Sequence, residues 1–474
     1  MNQEVELKLE LSPEAAEVFV KSALVPAQSS KARLRATYFD TPDRQLRAHG
    51  YTLRIRRSGK ERVQTVKATG GDGGAGLFAR AEWEMPVDDD VPVIDTRTPV
   101  AALLRGDASA IEPVFHVNVE RRTWDLLQDG ATVELVLDRG SIVAGERQAP
   151  VCEIELELAA GEPAALFAVA RKIGETAPVR PGVAAKSERG YRLLEAAPPS
   201  FKAEPVALKP GARTHEAFQA VGHACLRHYR LNEAILLDQY DPRALHQARV
   251  AVRRMRSLLS IFKPVLDQGD AGRFKEDLRW LAGLLGEARD LDVLSVSGAD
   301  ERLEEARLKV QAKVREALMS DRVRTLLIDL LEWLTLGTAV AIRDEPAEDF
   351  AARRIEHLYR QVAKGGRGME KLSDEARHEV RKSAKKLRYA SEFFAALFAQ
   401  GKKGRRRHEK FIDALQGLQD DLGALNDLVS MPEILAAHDL PHQPERGVKK
   451  RKKKLVGAAA AAHEDLVDAR RFWR

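Results

Sequence analysis

The spacing of apolar residues along this chain changes near residue 200. Before it, short segments such as 5–11 and 151–158 alternate apolar and charged residues, and beyond it apolar residues recur with helical spacing. Between the two parts lies a proline-rich stretch, 198–212, without apolar periodicity. The sequence therefore predicts an α+β multidomain protein, with a β-rich domain over 1–197, a linker over 198–212 and an all-α domain over 213–474.

Several classes of protein are excluded by composition. No apolar run approaches the ~20 residues of a membrane span, and the first residues have neither a basic segment nor an apolar core like those of a signal peptide. Only two cysteines are present, Cys152 and Cys225, so neither a disulfide framework nor a cysteine-based metal site is expected. We therefore expect a cytoplasmic protein without a membrane partner, and the sequence leaves its oligomeric state open.

Charge is distributed unevenly between the two parts. Residues 1–200 contain 26 Lys and Arg against 30 Asp and Glu, whereas residues 201–474 contain 51 against 41. The helical part therefore carries the whole positive excess, which favours a partner with negative charge.

The predicted strands of the first domain each have one charged face. In the first strand, Glu4, Glu6 and Lys8 share a face opposite Val5 and Leu7. The same alternation recurs around five further sets: Arg54 and Arg56, Thr65 and Lys67, Glu82 and Glu84, Glu134 and Asp138, and Glu153, Glu155 and Glu157. A single strand with a solvated charged face would look the same, so the number of such strands is what matters.

A sheet with this many charged faces poses a packing problem. If the charged faces all met solvent, a second layer would have to cover the apolar faces, and few helices are predicted here. If the sheet closes on itself, the apolar faces can pack outward and the charged faces line a water-filled lumen. A lumen with both signs of charge suits a phosphate chain with divalent cations, because basic side chains neutralise phosphate oxygens and carboxylates hold Mg²⁺ or Mn²⁺.

The helical part contains an internal repeat. His246, Arg249, Arg253 and Arg256 have relative positions 0, 3, 7 and 10, and the same offsets recur 132 residues later at His378, Arg381, Lys385 and Arg388. A second matching pair, Leu285-Gly286-x-x-Arg289-Asp290 and Leu422-Gly423-x-x-Asn426-Asp427, follows downstream. Recurrence of both order and spacing predicts two helical bundles related by a pseudo-two-fold axis.

These offsets place the basic residues on one stripe of each helix, beside a separate apolar stripe. A solvated basic face is the usual fate of such charges, but two copies set near each other would form a cationic groove that favours an anion. Aromatic residues do not interleave with the stripes, so phosphate without bases fits better than nucleic acid.

The two histidine-headed helices resemble the CHAD family, the conserved histidine α-helical domain, over about 213–474. The resemblance implies a pseudo-symmetric helical domain whose basic central surface binds inorganic polyphosphate. The predicted contacts are His246, Arg249, Arg253, Arg254, Arg256, His378, Arg381, Lys382, Lys385 and Arg388.

The first domain resembles the CYTH family, the triphosphate tunnel metalloenzymes. The Glu4-x-Glu6-x-Lys8 start is the hallmark, and the supporting motifs include Tyr38-Phe39-Asp40-Thr41, Arg54-Ile55-Arg56, Arg80-x-Glu82-Trp83-Glu84, Arg121-x-x-Trp124, Glu153-Ile154-Glu155 and Lys186-Ser187-x-Arg189-Gly190-Tyr191. The resemblance covers about 1–195 and implies an eight-stranded antiparallel tunnel that cleaves triphosphates with a divalent metal.

Roles follow from the resemblance, motif by motif. It assigns catalysis to Glu4, Glu6 and Lys8, with Tyr38 either assisting Lys8 or serving as a packed aromatic residue. Metal coordination falls to Glu4, Glu6, Glu153, Glu155 and Asp138. Substrate binding falls to Arg54, Arg56, Lys67, Arg80, Arg121, Lys186 and Arg189, with Glu82 and Glu84 as further tunnel residues.

The fusion of the two domains is similar to bacterial inorganic triphosphatases. The expected activity is hydrolysis of inorganic triphosphate with Mg²⁺ or Mn²⁺, with the helical domain binding polyphosphate and directing the protein to polyphosphate granules. The alternative is a polyphosphate-binding scaffold protein on such granules whose tunnel is vestigial.

Overall fold

The computed structural model describes residues 4–68, 77–106, 110–295, 301–336, 344–440 and 447–474. They form two compact units. The first comprises Met1–Phe201 and Leu318–Leu336, and the second comprises Lys202–Ala317 and Gly337–Arg474. Among the described residues, no helix combines the length and apolar character needed to cross a membrane.

One antiparallel sheet forms the centre of the first unit. Its described strands are β1 (Glu4–Leu11), β2 (Ser30–Asp40), β3 (Tyr51–Ser58), β4 (Glu61–Ala68), β5 (Leu77–Arg80), β6 (Glu82–Pro86), β7 (Glu112–Gln128), β8 (Ala131–Ala144), β9 (Arg147–Ala160) and β10 (Val179–Pro181).

The sheet closes on itself through a break at Ala81. Strand β5 pairs with β1 and β6 pairs with β4, while the remaining order runs β1-β9-β8-β7-β2-β3-β4. The prediction of eight strands was therefore wrong in its count, because ten strands are described. The difference arises because Ala81 divides one predicted strand into two, and because the short strand β10 adds to the edge of β1.

Among the described residues of 1–201, five helices lie beside the sheet: α1 (Pro13–Val20), α2 (Gln45–Ala48), α3 (Pro99–Leu103), α4 (Ala164–Thr176) and α5 (Lys186–Leu193). Helix α4 packs against β1, β7, β8 and β9. Leu7 and Leu9 of β1 are almost fully buried, as are Ile154 and Leu156 of β9. The apolar faces therefore pack outward and leave the alternating charged residues inside the closed sheet.

The second unit is helical. Its described helices are α6 (Thr214–Asp238), α7 (Pro242–Ile261), α8 (Gln268–Ser295), α9 (Glu301–Met319, whose last two residues belong to the first unit), α11 (Ala347–Gly365), a 3₁₀ turn (Met369–Lys371), α12 (Asp374–Phe393), α13 (Ala395–Phe398), α14 (Gly401–Ala437) and α15 (Val448–Asp468).

The two helices with the repeated basic stripe are α7 and α12. Helix α7 packs against α6 and α8, α12 packs against α11 and α14, and α7 and α12 contact each other. In the core, the Phe262 ring lies 5.3 Å from Phe218, 4.8 Å from Phe350 and 5.8 Å from Phe394, measured between ring centroids. Phe218 and Phe350 are 132 positions apart, and so are Phe262 and Phe394, which is the offset of the basic stripes.

One helix departs from the predicted domain order. Helix α10 (Asp321–Thr335) falls within the stretch 213–474, yet it belongs to the first unit, where it packs against α4 and β10. Asp329 Oδ1 accepts a hydrogen bond of 2.9 Å from Arg171 Nε of α4, and Glu332 pairs with the same guanidinium. Buried leucines such as Leu327 and Leu331 explain the placement, since α10 needs an apolar surface to cover.

We predict that residues 1–201 alone form an incomplete domain. A peptide of residues 318–336 should raise the melting temperature of this fragment by several degrees, because it covers the apolar surface of α4 and β10. This shift corresponds to an increase in the free energy of unfolding on the order of 1–2 kcal/mol. Thermal unfolding followed by circular dichroism measures the shift.

The matched control is the same peptide with Asp329→Arg and Glu332→Arg, which repels Arg171 and should stabilise the fragment less. Equal melting temperatures with and without the native peptide would contradict this account of α10.

Candidate active site and anion-binding face

The lumen of the closed sheet is a cavity of about 320 Å³ lined mainly by charged side chains. Its charged lining consists of Glu6, Lys8, Arg54, Arg56, Lys67, Glu82, Glu84, Arg121, Glu134, Asp138, Glu155, Glu157 and Lys186. The charged lining side chains that come from strands lie on the strand faces that the period-two alternation predicts to be charged. A cavity with cations and carboxylates in such density is suited to a multiply charged anion with metal ions.

At the centre of the lumen, one carboxylate has three cationic partners. Glu155 pairs with Lys8, accepts a hydrogen bond of 2.9 Å from Lys186 Nζ, and accepts one of 2.9 Å from Arg121 Nη2. Burial raises the pKa of the Glu155 carboxyl, but Lys186, Lys8 and Arg121 outweigh it and hold the pKa well below its usual range. Glu155 is therefore ionised at neutral pH despite its burial.

Neighbouring carboxylates are tied to the same cations. Asp138 accepts both Arg121 Nε at 2.8 Å and Arg121 Nη2 at 2.7 Å, and it lies 2.7 Å from Lys186 Nζ. Glu153 lies 2.5 Å from Lys186 Nζ. Lys186 is the first residue of α5 and lies beside these strands. The negative charges of Asp138 and Glu153 therefore hold the side chains of Lys186 and Arg121 in place.

Glu155 also belongs to a group of three carboxylates that fits a metal ion. Glu6, Glu155 and Glu157 each offer an oxygen, and these atoms all lie within 4.8 Å of one another. Burial raises the pKa of Glu6, and repulsion by Glu155 adds to this in spite of the nearby Lys8. A cation would relieve that cost, and oxygen ligands of this kind suit Mg²⁺ or Mn²⁺. The three residues therefore fit the divalent ion that the sequence predicts.

On the opposite side of the lumen, two arginines are held more loosely than the lysine beside them. Lys67 Nζ lies 2.8 Å from Glu82, but Arg54 is 4.0 Å from Glu82 and Arg56 is 3.7 Å from Glu84. The contrast with Lys8 and Lys186 divides the lumen into a firmly paired side and a side with cations available to an anion.

Outside the lumen, two sequence motifs meet at a buried contact. Tyr191 Oη donates a 2.7 Å hydrogen bond to Asp40, whose carboxylate also accepts the backbone amides of Leu46 at 2.9 Å and Arg47 at 3.1 Å. Gly190 lies so close to the Phe115 ring that an added Cβ would approach it to 2.2 Å. These contacts fix α5, and with it the lumen residue Lys186, against the sheet.

In the second unit, the stripes of α7 and α12 form one cationic face. Burial, together with the neighbouring Arg381, Arg253 and Arg249, lowers the pKa of Lys385 to about 7. Burial likewise lowers the pKa of His246 to about 4, with Arg289, Arg253 and Arg249 contributing. These mutual effects require the two stripes to lie together. Among the described residues, neither Arg381 Nε nor His246 Nδ1 has a hydrogen-bond partner, although both atoms are buried.

Family models match both parts of the chain. A CYTH domain matches residues 2–191 and a CHAD domain matches residues 220–436. The chain is a CYTH domain fused to a CHAD domain. Both family assignments made from sequence motifs are thereby confirmed.

Similar proteins cover one or both of these domains. An inorganic triphosphatase of Haemophilus influenzae is 33% identical over 204 residues, which cover 41% of this chain and 55% of that protein. The chain thus spans about half the length of this relative. An uncharacterized protein of Mycobacterium tuberculosis is 28% identical over 411 residues, covering 77% of this chain and 76% of that protein. The solved CHAD domain of Ricinus communis is 31% identical, with a TM-score of 0.46, and covers 57% of this chain and 97% of that chain.

The CYTH domain brings most of its predicted site residues to the lumen. Glu6, Lys8, Tyr38, Arg54, Arg56, Lys67, Arg121, Asp138, Glu155 and Lys186 all line it, together with Glu82 and Glu84. Glu153 and Arg189 are not among the lining residues and instead pair with each other at 3.3 Å. The side chains of Glu4 and Arg80 lie outside the described part of the structure.

Tyr38 reaches the lumen but differs from the others in its surroundings. Its ring stacks on Phe115 with centroids 4.6 Å apart, and its phenol lies beside Arg54. Its contacts therefore orient Arg54 rather than Lys8, the residue that the sequence suggested it assists.

Glu157, like Glu134, is a charged lumen residue that sequence reasoning did not assign to the site. Alternation along β9 puts it on the face of Glu153 and Glu155, so the signal was present. Choosing among the three required knowing which of them lie near Glu6 of β1, which the pattern along β9 alone does not give.

The CHAD domain separates its predicted contacts into groups. His246, Arg249, Arg253, Arg381, Lys385 and Arg388 are half-buried along the common face, while His378, Arg256 and Lys382 are exposed. Arg254 is different, because it is buried, pairs with Glu392 and lies 4.8 Å above the Phe393 ring. It therefore holds α7 against α12.

Proposed function

We propose that the CYTH domain hydrolyses inorganic triphosphate with a divalent metal, and that the CHAD domain binds inorganic polyphosphate. The observation that carries the first part is the carboxylate group Glu6, Glu155 and Glu157, set in a lumen whose other side presents Arg54, Arg56 and Lys67. The similarity to the Haemophilus influenzae inorganic triphosphatase supports this choice of substrate.

Binding of the triphosphate would fall to the loosely paired cations. Arg54 Nε is buried and has no hydrogen-bond partner among the described residues, so a phosphate oxygen would satisfy it. Arg56 and Lys67 extend the same side, and Lys67 keeps Glu82 within 2.8 Å. Three cations on one side of a narrow lumen would hold a chain of phosphates in a single orientation, and such positioning is a large part of phosphoryl-transfer catalysis.

The firmly paired side would hold the metal-binding carboxylates in place. Lys8 keeps Glu6 at 2.7 Å and Arg121 keeps Glu155 at 2.9 Å, so both carboxylates are oriented before substrate arrives. When bound at Glu6, Glu155 and Glu157, a divalent ion would supply positive charge to the phosphate oxygens. The protein side chains would thus bind and orient both the ion and the anion.

Polyphosphate binding by the CHAD domain is supported by the electrostatic cost of bringing its cations together on one face. Arg249, Arg381 and Lys385 each have a pKa lowered by burial and by neighbouring cations. A polyanion would reverse this penalty, and Arg381 Nε offers it a buried donor without a described partner. Association with polyphosphate granules would follow from such binding.

Replacing a single metal-binding carboxylate tests the catalytic proposal. Glu157→Gln should weaken Mn²⁺ binding and reduce metal-dependent phosphate release from triphosphate by ~100-fold or more, because a charged oxygen ligand is lost from the lumen. Titration calorimetry with Mn²⁺ and a phosphate-release assay measure the two effects separately.

The matched control is Glu120→Gln, which removes an exposed carboxylate on β7 that pairs with Arg122 at 3.6 Å. It should leave both measurements unchanged. Full activity of Glu157→Gln would refute the assignment of this residue, and absence of metal-dependent release from the wild-type protein would favour the scaffold alternative.

The pH dependence of polyphosphate binding tests the CHAD proposal. Lys385 has a pKa of about 7 in the free protein, which a bound polyanion raises by offsetting Arg249, Arg253 and Arg381, while Asp427 acts in the same direction in both states. Binding then takes up a proton above pH 7, so affinity should fall as pH rises above 7, by up to about tenfold per pH unit.

The variant Lys385→Arg keeps its charge through this range and should bind with a flatter profile between pH 7 and 9. Fluorescence anisotropy with labelled polyphosphate measures both profiles. Identical pH dependence in the two proteins would show that Lys385 does not contact the bound chain.

A further inference from the structure

A second group of cations lies at the beginning of α14, apart from the repeated stripes. Residues 401–410 read Gly-Lys-Lys-Gly-Arg-Arg-Arg-His-Glu-Lys, with Glu409 as their single acidic residue. The six cations are Lys402, Lys403, Arg405, Arg406, Arg407 and Lys410, and all but Arg407 are exposed. Within the described part of the chain, none of the six forms an ion pair.

This placement is unfavourable for the helix itself. The first turn of a helix favours acidic residues because its backbone amides create a partial positive charge there. Helix α14 has no acidic residue in its first turn, and its N-cap Gln400 makes no capping hydrogen bond through its side chain. The cations therefore do not serve the stability of α14.

The position of α14 continues the basic stripe of α12. At one end His378 Nδ1 lies 2.8 Å from Asn426 Oδ1, and at the other Arg388 donates a hydrogen bond to Gln416. The two helices therefore run antiparallel, and the stripe points toward the start of α14. Still further along, His408 Nε2 lies 3.1 Å from the carbonyl oxygen of Ser391.

Helical phase selects which of the cations extend the stripe. Arg405 precedes Gln416 by 11 residues, about three turns, so it shares the face that reaches Arg388, and Lys402 lies one turn earlier. Lys403 and Lys410 are turned away from Gln416 by roughly 120–140°. From Asn426 to Arg405 the helix rises about 30 Å.

We infer that Lys402 and Arg405 extend the polyphosphate-binding face of the CHAD domain, so that long chains contact a cationic track that short chains do not reach. The inference rests on the proposed polyphosphate binding and adds a basis for chain-length selectivity. A triphosphate is far shorter than the track, so it can contact one part of it only.

Polyphosphate fits this extension better than nucleic acid. The segment 401–410 contains no Phe, Tyr or Trp on which a base could stack. Its one histidine is engaged elsewhere, since the His408 ring packs edge-on against Phe472 with centroids 4.8 Å apart. What remains is a row of exposed ammonium and guanidinium groups suited to phosphate oxygens.

Charge reversal on the two faces of α14 provides the test. In the full chain, Lys402→Glu with Arg405→Glu should weaken binding of long-chain polyphosphate at least tenfold. The dependence of log affinity on log salt concentration should also become less steep, by the equivalent of about two phosphate contacts. Binding of triphosphate to the same protein should be unchanged. Lys403→Glu with Lys410→Glu makes the same change in net charge on the other face and should have a much smaller effect.

The outcomes separate the inference from the function on which it rests. Failure of the wild-type protein to bind polyphosphate of any length would overturn both. Normal length dependence with equal effects of the two double variants would overturn the track alone. The track would also be overturned if Lys402→Glu with Arg405→Glu weakened binding to RNA or anionic vesicles and left polyphosphate binding intact. Circular dichroism of each variant, which should match the wild type, excludes loss of folding as the cause.

Discussion

Ionisation of buried carboxylates in the lumen is the constraint on which the first domain depends. Glu155 is almost fully buried, and it stays charged because Lys186, Lys8 and Arg121 surround it. Those cations come from α5, β1 and β7, so pairing of β1, β9, β8 and β7 and docking of α5 are both required to assemble them. Removing one partner would leave uncompensated charge in a narrow cavity, which ties the fold of the domain to its chemistry.

The alternation of charged and apolar residues predicted much of this domain. It gave the faces of the strands, and the scarcity of helices then indicated a closed sheet. The pattern could not reveal that Glu157, rather than Glu153, lies with Glu6 and Glu155, because that depends on contacts between distant segments. Nor could it place α10, since a helix with a buried apolar face reads the same whichever surface it covers.

In the helical domain, spacing was the informative signal. The recurrence of basic residues at relative positions 0, 3, 7 and 10 predicted the basic stripes, and the structure brings them together on α7 and α12. Arg254 lies one residue beyond Arg253 and so off the stripe, but spacing alone could not reveal its role, which depends on Glu392 and the Phe393 ring. The 132-residue offset between Phe218 and Phe350, and between Phe262 and Phe394, was available in the sequence as further support for duplication.

In the proposed function, one lumen holds both the metal ion and the phosphate chain. Anomalous diffraction from crystals of the full chain, soaked with Mn²⁺ and a triphosphate analogue that resists hydrolysis, locates both. We expect a manganese peak bounded by Glu6, Glu155 and Glu157, with phosphate density extending toward Arg54 and Arg56. Manganese and phosphate found outside the lumen, or no manganese at these carboxylates, would contradict it.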